Sequence, residues 1–309
     1  MNEAQTLLAI ENLMKKVMKK TYHWQDLESE LDGLSKDVEL ISDSNRMYRP
    51  LIQAYFDLLP KRIKRSDEEI FYRRAAFQRF QSELREHHEE FINEFCENNK
   101  ENKKSLFKYF DGLVDDHCKL LLVRVDLFYR TGRDPSIERF AQDIKRMIKR
   151  VQDKDTIFKD QVGYAYRLEQ GGKSKGYHCH LLVIYNGSLR YGDSYLGMRI
   201  GEIWKEKITG DDGLFFNCNQ SDYRQYHQQK DQWGLGLLER SDLAKRSKAQ
   251  KMLAYLADPE KDDQYIRGPL LGMRQFRKGQ LKKDQRKRKN RRSQKIIDIH
   301  HLHKHSLFM

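Results

Sequence analysis

The sequence predicts an α+β protein in which an all-helical N-terminal region precedes a sheet with helices packed on it. Three observations carry that expectation. Up to about residue 100, apolar residues recur at three- and four-residue spacing and no strand signal appears. From residue 105 the pattern changes to Leu-, Val- and Tyr-rich runs alternating with amphipathic stretches in β-α-β-β order. Residues 277–295 then hold 11 Lys or Arg against one Asp, a net +10, while the other 290 residues supply only about +3 of the total +13. The expected organisation is a helical region at 1–100, a sheet-bearing domain at 105–276 and a basic, flexible tail at 277–309.

The elements follow in order. LLAIENLMKKVMKK and WQDLESELDGLSKDVEL have helical periodicity, and LIQAYFDLLPKRI continues it. In SDEEIFYRRAAFQRFQSELREHHEEFINEF, Ser66 and Glu69 have capping-box spacing. The polar stretch ENNKENKK at 97–104 is expected to mark the domain boundary. SLFKYFDGLVDDH reads as a helix, KLLLVRVDLFY at 119–129 as a strand, TGRDP as a turn and 136–151 as an amphipathic helix. VGYAYRLE at 162–169 alternates like a strand, QGGKSKG is a glycine-rich turn and YHCHLLVIY is the next strand. Helices are expected at 193–208 and 241–257, with a short strand at 214–220.

Composition narrows the function classes. No apolar run exceeds about five residues, far short of the roughly 20 that a membrane helix needs, so no membrane role is expected. The acidic start MNEAQTLLAIENLMKK does not read as a secretory signal. Cys96, Cys118, Cys179 and Cys218 lack metal or disulfide spacing and read as free thiols of a cytoplasmic protein. The concentrated positive charge suits phosphate contact, with Arg286, Lys287, Arg288, Lys289, Arg291 and Arg292 as the nucleic-acid-binding candidates.

The sharpest local signal is GYHCHLLVIY at 176–185. Alternation along a strand puts His178 and His180 on one face, so two imidazoles aim at one point, as a divalent metal site requires. The plainer alternative is two strand histidines hydrogen-bonded to their neighbours. A third ligand needs a carboxylate. Glu169 shares the histidines' face only if paired residue numbers sum to an odd value, such as Glu169 opposite His178; an even register turns it away. Asp126 is the other carboxylate within reach. The turn contains GKS, but Arg167 occupies the position where a phosphate loop needs glycine, so Lys173 and Lys175 are at most backbone-phosphate contacts. The terminal HHLHKH tract at 300–305 lacks the fixed geometry of a built site.

VRVDLFYR, RLEQGGKSKGYHCHLLVIYNG and KMLAYLADPEKDDQYIRGPLLGMRQFRKG, in that order, resemble the HUH endonucleases of rolling-circle replication initiators, relaxases and certain transposases. More narrowly they resemble the YagK/YfjJ C-terminal family, which is related to the replication proteins of filamentous phages (inoviruses). The resemblance covers about residues 105–280 and leaves the first 100 residues aside. It implies an HUH-type domain with a central antiparallel sheet flanked by helices, a divalent metal (Mg²⁺ or Mn²⁺) and a tyrosine that attacks single-stranded DNA to form a 5′-phosphotyrosine link.

Tyr255 is the leading candidate for that tyrosine, at the margin of a helical stripe formed by Ala249, Met252, Leu253 and Leu256, with Lys251 one turn earlier to stabilise phenolate. The alternative is a half-buried helix residue without chemistry. Single-tyrosine members of the family carry Tyr-x-x-Lys; here Asp258 stands at the lysine position, with Lys251 or Lys261 as substitutes. Tyr265 is the second choice, and Tyr223 and Tyr226 lack two-tyrosine spacing. The implied role is nicking of a single-stranded DNA or hairpin origin of a phage, plasmid or integrated element, with oligomerisation left to the helical N-terminal region. A DNA-binding regulator on the same fold, favoured by Asp258, is the alternative, and an RNA-processing enzyme a third idea.

Overall fold

The apolar run at 119–129 forms strand β1 (Lys119–Tyr129), the hub of an antiparallel sheet. The computed structural model describes residues 2–27, 30, 34, 41, 45–63, 74–171, 176–257 and 264–281. Before β1 come helices α1 (Glu3–Val17), α2 (Pro50–Ile63) and α3 (Arg74–Asp116). After it come α4 (Ile137–Asp153), β2 (Gln161–Gln170), β3 (Tyr177–Asn186), α5 (Asp193–Glu202), a π-helical turn at Ile203–Ile208, β4 (Gly213–Asn217), α6 (Ser221–Gln229), β5 (Gly236–Glu239), α7 (Leu243–Ala257) and β6 (Phe276–Lys278). The molecule is thus α+β, with a helical N-terminal region and a sheet flanked by helices.

Strand order is β4-β1-β3-β2-β6, and β5 shares with β4 the outer edge of β1. β4 covers Val125 to Tyr129 and β5 covers Lys119 to Leu122, which leaves a gap between them. Asn219 closes it: its side chain accepts from the Arg124 N–H (2.9 Å) and donates to the Leu122 carbonyl (2.9 Å). Buried backbone groups are thereby satisfied where no strand reaches them.

Period-2 alternation divides the sheet into two faces. Val123, Val125, Leu127, Leu181 and Val183 pack under α4 and α5. The opposite face, with Leu120, Leu122, Ala165, Leu182 and Ile184, packs under α3 and α7 through Leu106, Tyr109, Phe110, Leu253 and Leu256. Both histidines belong to this second face.

The polar segment 97–104, expected as a boundary, lies inside α3, which continues unbroken into the sheet core. The first half of α3 contributes Phe77 and Leu84 to a core shared with α1 and α2, and its second half covers the sheet. Between them the one deeply buried polar side chain of the segment, Asn99, accepts from Arg167 (3.2 Å). The basic segment likewise starts within the fold, because Arg277 and Lys278 belong to β6.

Helix α1 is fastened to the sheet. Gln170 donates to the Ala4 carbonyl (3.0 Å), the Tyr177 hydroxyl donates to Glu3 (2.7 Å), and the buried Arg267 pairs with the buried Glu11 (2.8 Å). Gln170 and Tyr177 face each other across the β2–β3 hairpin, one step from Glu169 and His178.

Ser66, Glu69, Lys173, Lys175, Asp258, Lys261, Arg286, Lys287, Arg288, Lys289, Arg291, Arg292 and the 300–305 tract lie outside the described residues.

Candidate metal centre

β2 and β3 pair with Glu169 opposite His178 and Arg167 opposite His180, the odd register that places the carboxylate with the histidines. Glu169 is fully buried, and its Oε2 lies 3.2 Å from His178 Nε2 and 3.3 Å from His180 Nε2. The two imidazole rings stand edge to face at 5.0 Å.

Outer partners orient both rings. The Nδ1–H of His178 donates to the Gly176 carbonyl at 3.3 Å. On the neighbouring strand Asp126 faces His180, and its Oδ1 accepts from Nδ1 at 2.7 Å. The Arg124 guanidinium also approaches Nδ1, at 3.1 Å, but the shorter carboxylate contact fixes the proton there. With both Nδ1 atoms donating, both Nε2 atoms point inward at the Glu169 carboxylate, to which they donate when protonated and beside which they offer lone pairs when neutral. The space between the three groups favours positive charge, either a proton on an imidazole or a metal ion. Ligand bonds of about 2.1 Å meeting at about 90–110° separate donor atoms by roughly 3.0–3.4 Å, which the observed spacings match. Glu169, His178 and His180 therefore form a buried group able to hold a metal ion.

The electrostatics agree. Burial raises the Glu169 pKa, but hydrogen bonds from His178 and His180 overcome it and hold the carboxyl well below its usual range. Burial likewise acts against ionisation of Asp126, and Arg124 with His180 outweighs it, so this carboxylate too stays charged. For His180, burial disfavours the imidazolium, yet Asp126 and Glu169 raise its pKa above the ordinary value. The site draws positive charge.

No family model, curated protein or solved structure matches this chain. What the site can do must be read from its own residues.

Tyr255 is brought to the site. α7 buries Ala249, Leu253, Leu256 and Ala257 against the sheet face, with Met252 partly buried beside them. The Tyr255 ring lies at the stripe's margin, 6.0 Å from the His180 ring. Arg124 stacks over it at 5.3 Å. Lys251, the expected partner, is exposed on the same helix. Tyr265 serves the fold instead: it is buried, donates its hydroxyl to Glu11 and packs edge-on against Phe91 and Phe95 (5.0 and 5.6 Å).

One side chain ties α7 to β2. Arg167 pairs with Glu169 Oε1 (3.0 Å) and donates to the Ala257 carbonyl (2.9 Å), so the last turn of α7 is anchored beside the ligand carboxylate. A cation at a helix C-terminus also meets the negative end of its dipole. Arg124 and Arg167 escaped the sequence reading. The signal for Arg124 was present: Arg124 and Asp126 are charged residues two apart in an otherwise apolar strand, and so share a face.

Proposed function

We propose that this protein is a metal-dependent endonuclease and strand-transferase of the HUH type, acting on single-stranded DNA through Tyr255. The observation that carries the reading is the convergence of His178, His180 and Glu169 beside a tyrosine ring stacked under a guanidinium.

The Tyr255 oxygen attacks the phosphorus of a phosphodiester. The bond to the 3′ oxygen breaks, the 5′ phosphate remains on the tyrosine, and the phenol proton ends on the freed 3′ hydroxyl. Arg124, against the ring, stabilises developing phenolate, where Lys251 is exposed on the same helix as the ring. Asp126 holds His180 in the tautomer that faces inward, and Arg167 keeps α7 in register with Glu169. A bound Mg²⁺ or Mn²⁺ would polarise the phosphate oxygens and neutralise their charge. The basic segment from residue 282 onward supplies sequence-independent phosphate attraction.

Initiation of rolling-circle replication of a phage, plasmid or integrated element is the role that fits this chemistry. Four free cysteines suit a cytoplasmic setting, and among the described residues no helix is long and apolar enough to cross a membrane. A second reading, a DNA-binding regulator that no longer cuts, is favoured by Asp258 at the family's lysine position.

Labelled single-stranded DNA incubated with protein and Mn²⁺, then run on a denaturing gel, separates the two. A covalent adduct that disappears in Tyr255→Phe supports the enzyme. Tight binding without adduct supports the regulator, and adduct formation that survives Tyr255→Phe removes Tyr255 from the mechanism.

A further inference from the structure

A run of aromatic rings leads away from the candidate metal centre across β4 and α6. Phe216 is paired with Asp126 in the β1–β4 ladder and so shares the face of the metal ligands. Its ring meets Tyr223 edge to face at 5.4 Å; Tyr223 lies 4.4 Å from His227, and His227 lies 5.2 Å from Tyr226. The Lys230 ammonium sits 4.1 Å above the Tyr226 ring.

Core packing accounts for Tyr223 but not for Phe216 or Tyr226. No residue of α6 is buried, and its sequence SDYRQYHQQ has no aliphatic side chain. Tyr223 leans on the sheet-face core and anchors the helix, whereas Phe216 is 37% and Tyr226 52% exposed. Burial raises the Tyr223 pKa, and Cys218 adds to that, so the phenol stays neutral and does not repel an anion.

We propose that this strip is a stacking platform for the bases of single-stranded DNA, guiding one strand to the metal centre; this deepens the nuclease reading and rests on it. Unpaired bases present flat π-faces that stack on tyrosine, phenylalanine and histidine without sequence preference. Cations stand at both ends of the strip, Arg124 at the metal and Lys230 at the far edge, where phosphates linking stacked bases need them. A duplex keeps its bases stacked on one another and offers no such faces. A protein partner would require an apolar centre, which α6, polar or aromatic at every position, lacks.

The test is fluorescence anisotropy of labelled oligothymidylate with the full-length, Mn²⁺-loaded protein. Tyr226→Ala should weaken binding about tenfold, the order of one stacked base. Tyr226→Trp should bind at least as tightly as the parent, and Mn²⁺ affinity should not move in either variant. Phe216→Ala is the second probe, at the metal end. Affinity within twofold of the parent in both alanine variants overturns the proposal, as does an equal loss on duplex DNA or tighter binding of oligouridylate than of its deoxy counterpart. Ring-dependent binding without a Tyr255 adduct leaves the platform standing and removes the nuclease; an adduct with ring-independent binding does the reverse.

Discussion

Asp126 shows how much of a candidate metal site lies outside the groups that would hold the ion. Its carboxylate touches His180 on the nitrogen remote from Glu169, and so decides which lone pair faces inward. Replacement by Asn keeps the shape but offers an amide that can no longer hold the Nδ1 proton as firmly. Asp126→Asn is therefore expected to lower Mn²⁺ affinity about 10–100-fold, the usual effect of losing an outer partner. Isothermal titration of the metal checks this, and an unchanged affinity would assign the tautomer to another contact. The grouping of Glu169, His178 and His180 was legible because a period-2 strand converts the spacing His-x-His into a shared face, and because one parity rule linked Glu169 to it. The pairing of Arg124 with Asp126 was legible in the same way, but its contacts with His180 on β3 and Tyr255 on α7 were not, because they join separate elements.

At the level of elements, α7 is positioned by both packing and charge. Leu253 and Leu256 seat it on the sheet, and Arg167 fastens its final turn to β2. Arg167→Met removes the one permanently charged cation beside a fully buried carboxylate, leaving only the two histidines. In metal-free protein the cost is expected to approach about 3–5 kcal/mol by urea denaturation, since the buried charge loses its only guanidinium partner. Added Mn²⁺ should recover part of that loss by supplying positive charge to Glu169; equal destabilisation with and without Mn²⁺ would place the metal elsewhere. Strands β1, β2 and β3 were legible almost to the residue, because their apolar runs are long and bounded by turns. β5, β6 and α6 were not. Two are strands of three or four residues that exist only because a neighbouring edge accepts them, and α6 buries none of its residues.

Over the whole molecule, two kinds of charge have different duties. Arg267 and Arg167 are buried and serve architecture, whereas the cationic run beyond residue 281 carries most of the net charge. Deleting residues 282–309 should weaken binding to single-stranded DNA and flatten its dependence on salt, while β6 and the metal centre stay intact. An unchanged salt slope in anisotropy titrations would remove that run from DNA contact. The polar run at 97–104 resembles a linker yet lies inside α3, for a physical reason. Polar, charged sequence marks solvent exposure, and a helix bridging two cores is exposed in the middle just as a linker is. That bridge bears on how the protein can be trimmed. A fragment begun at residue 105 would open part-way along α3, forfeit Asn99 beneath Arg167 and strip α1 from the hairpin that presents Glu169 and His178. An expression clone of the sheet half needs the first helix and the entire span of the long one if its ligands are to meet.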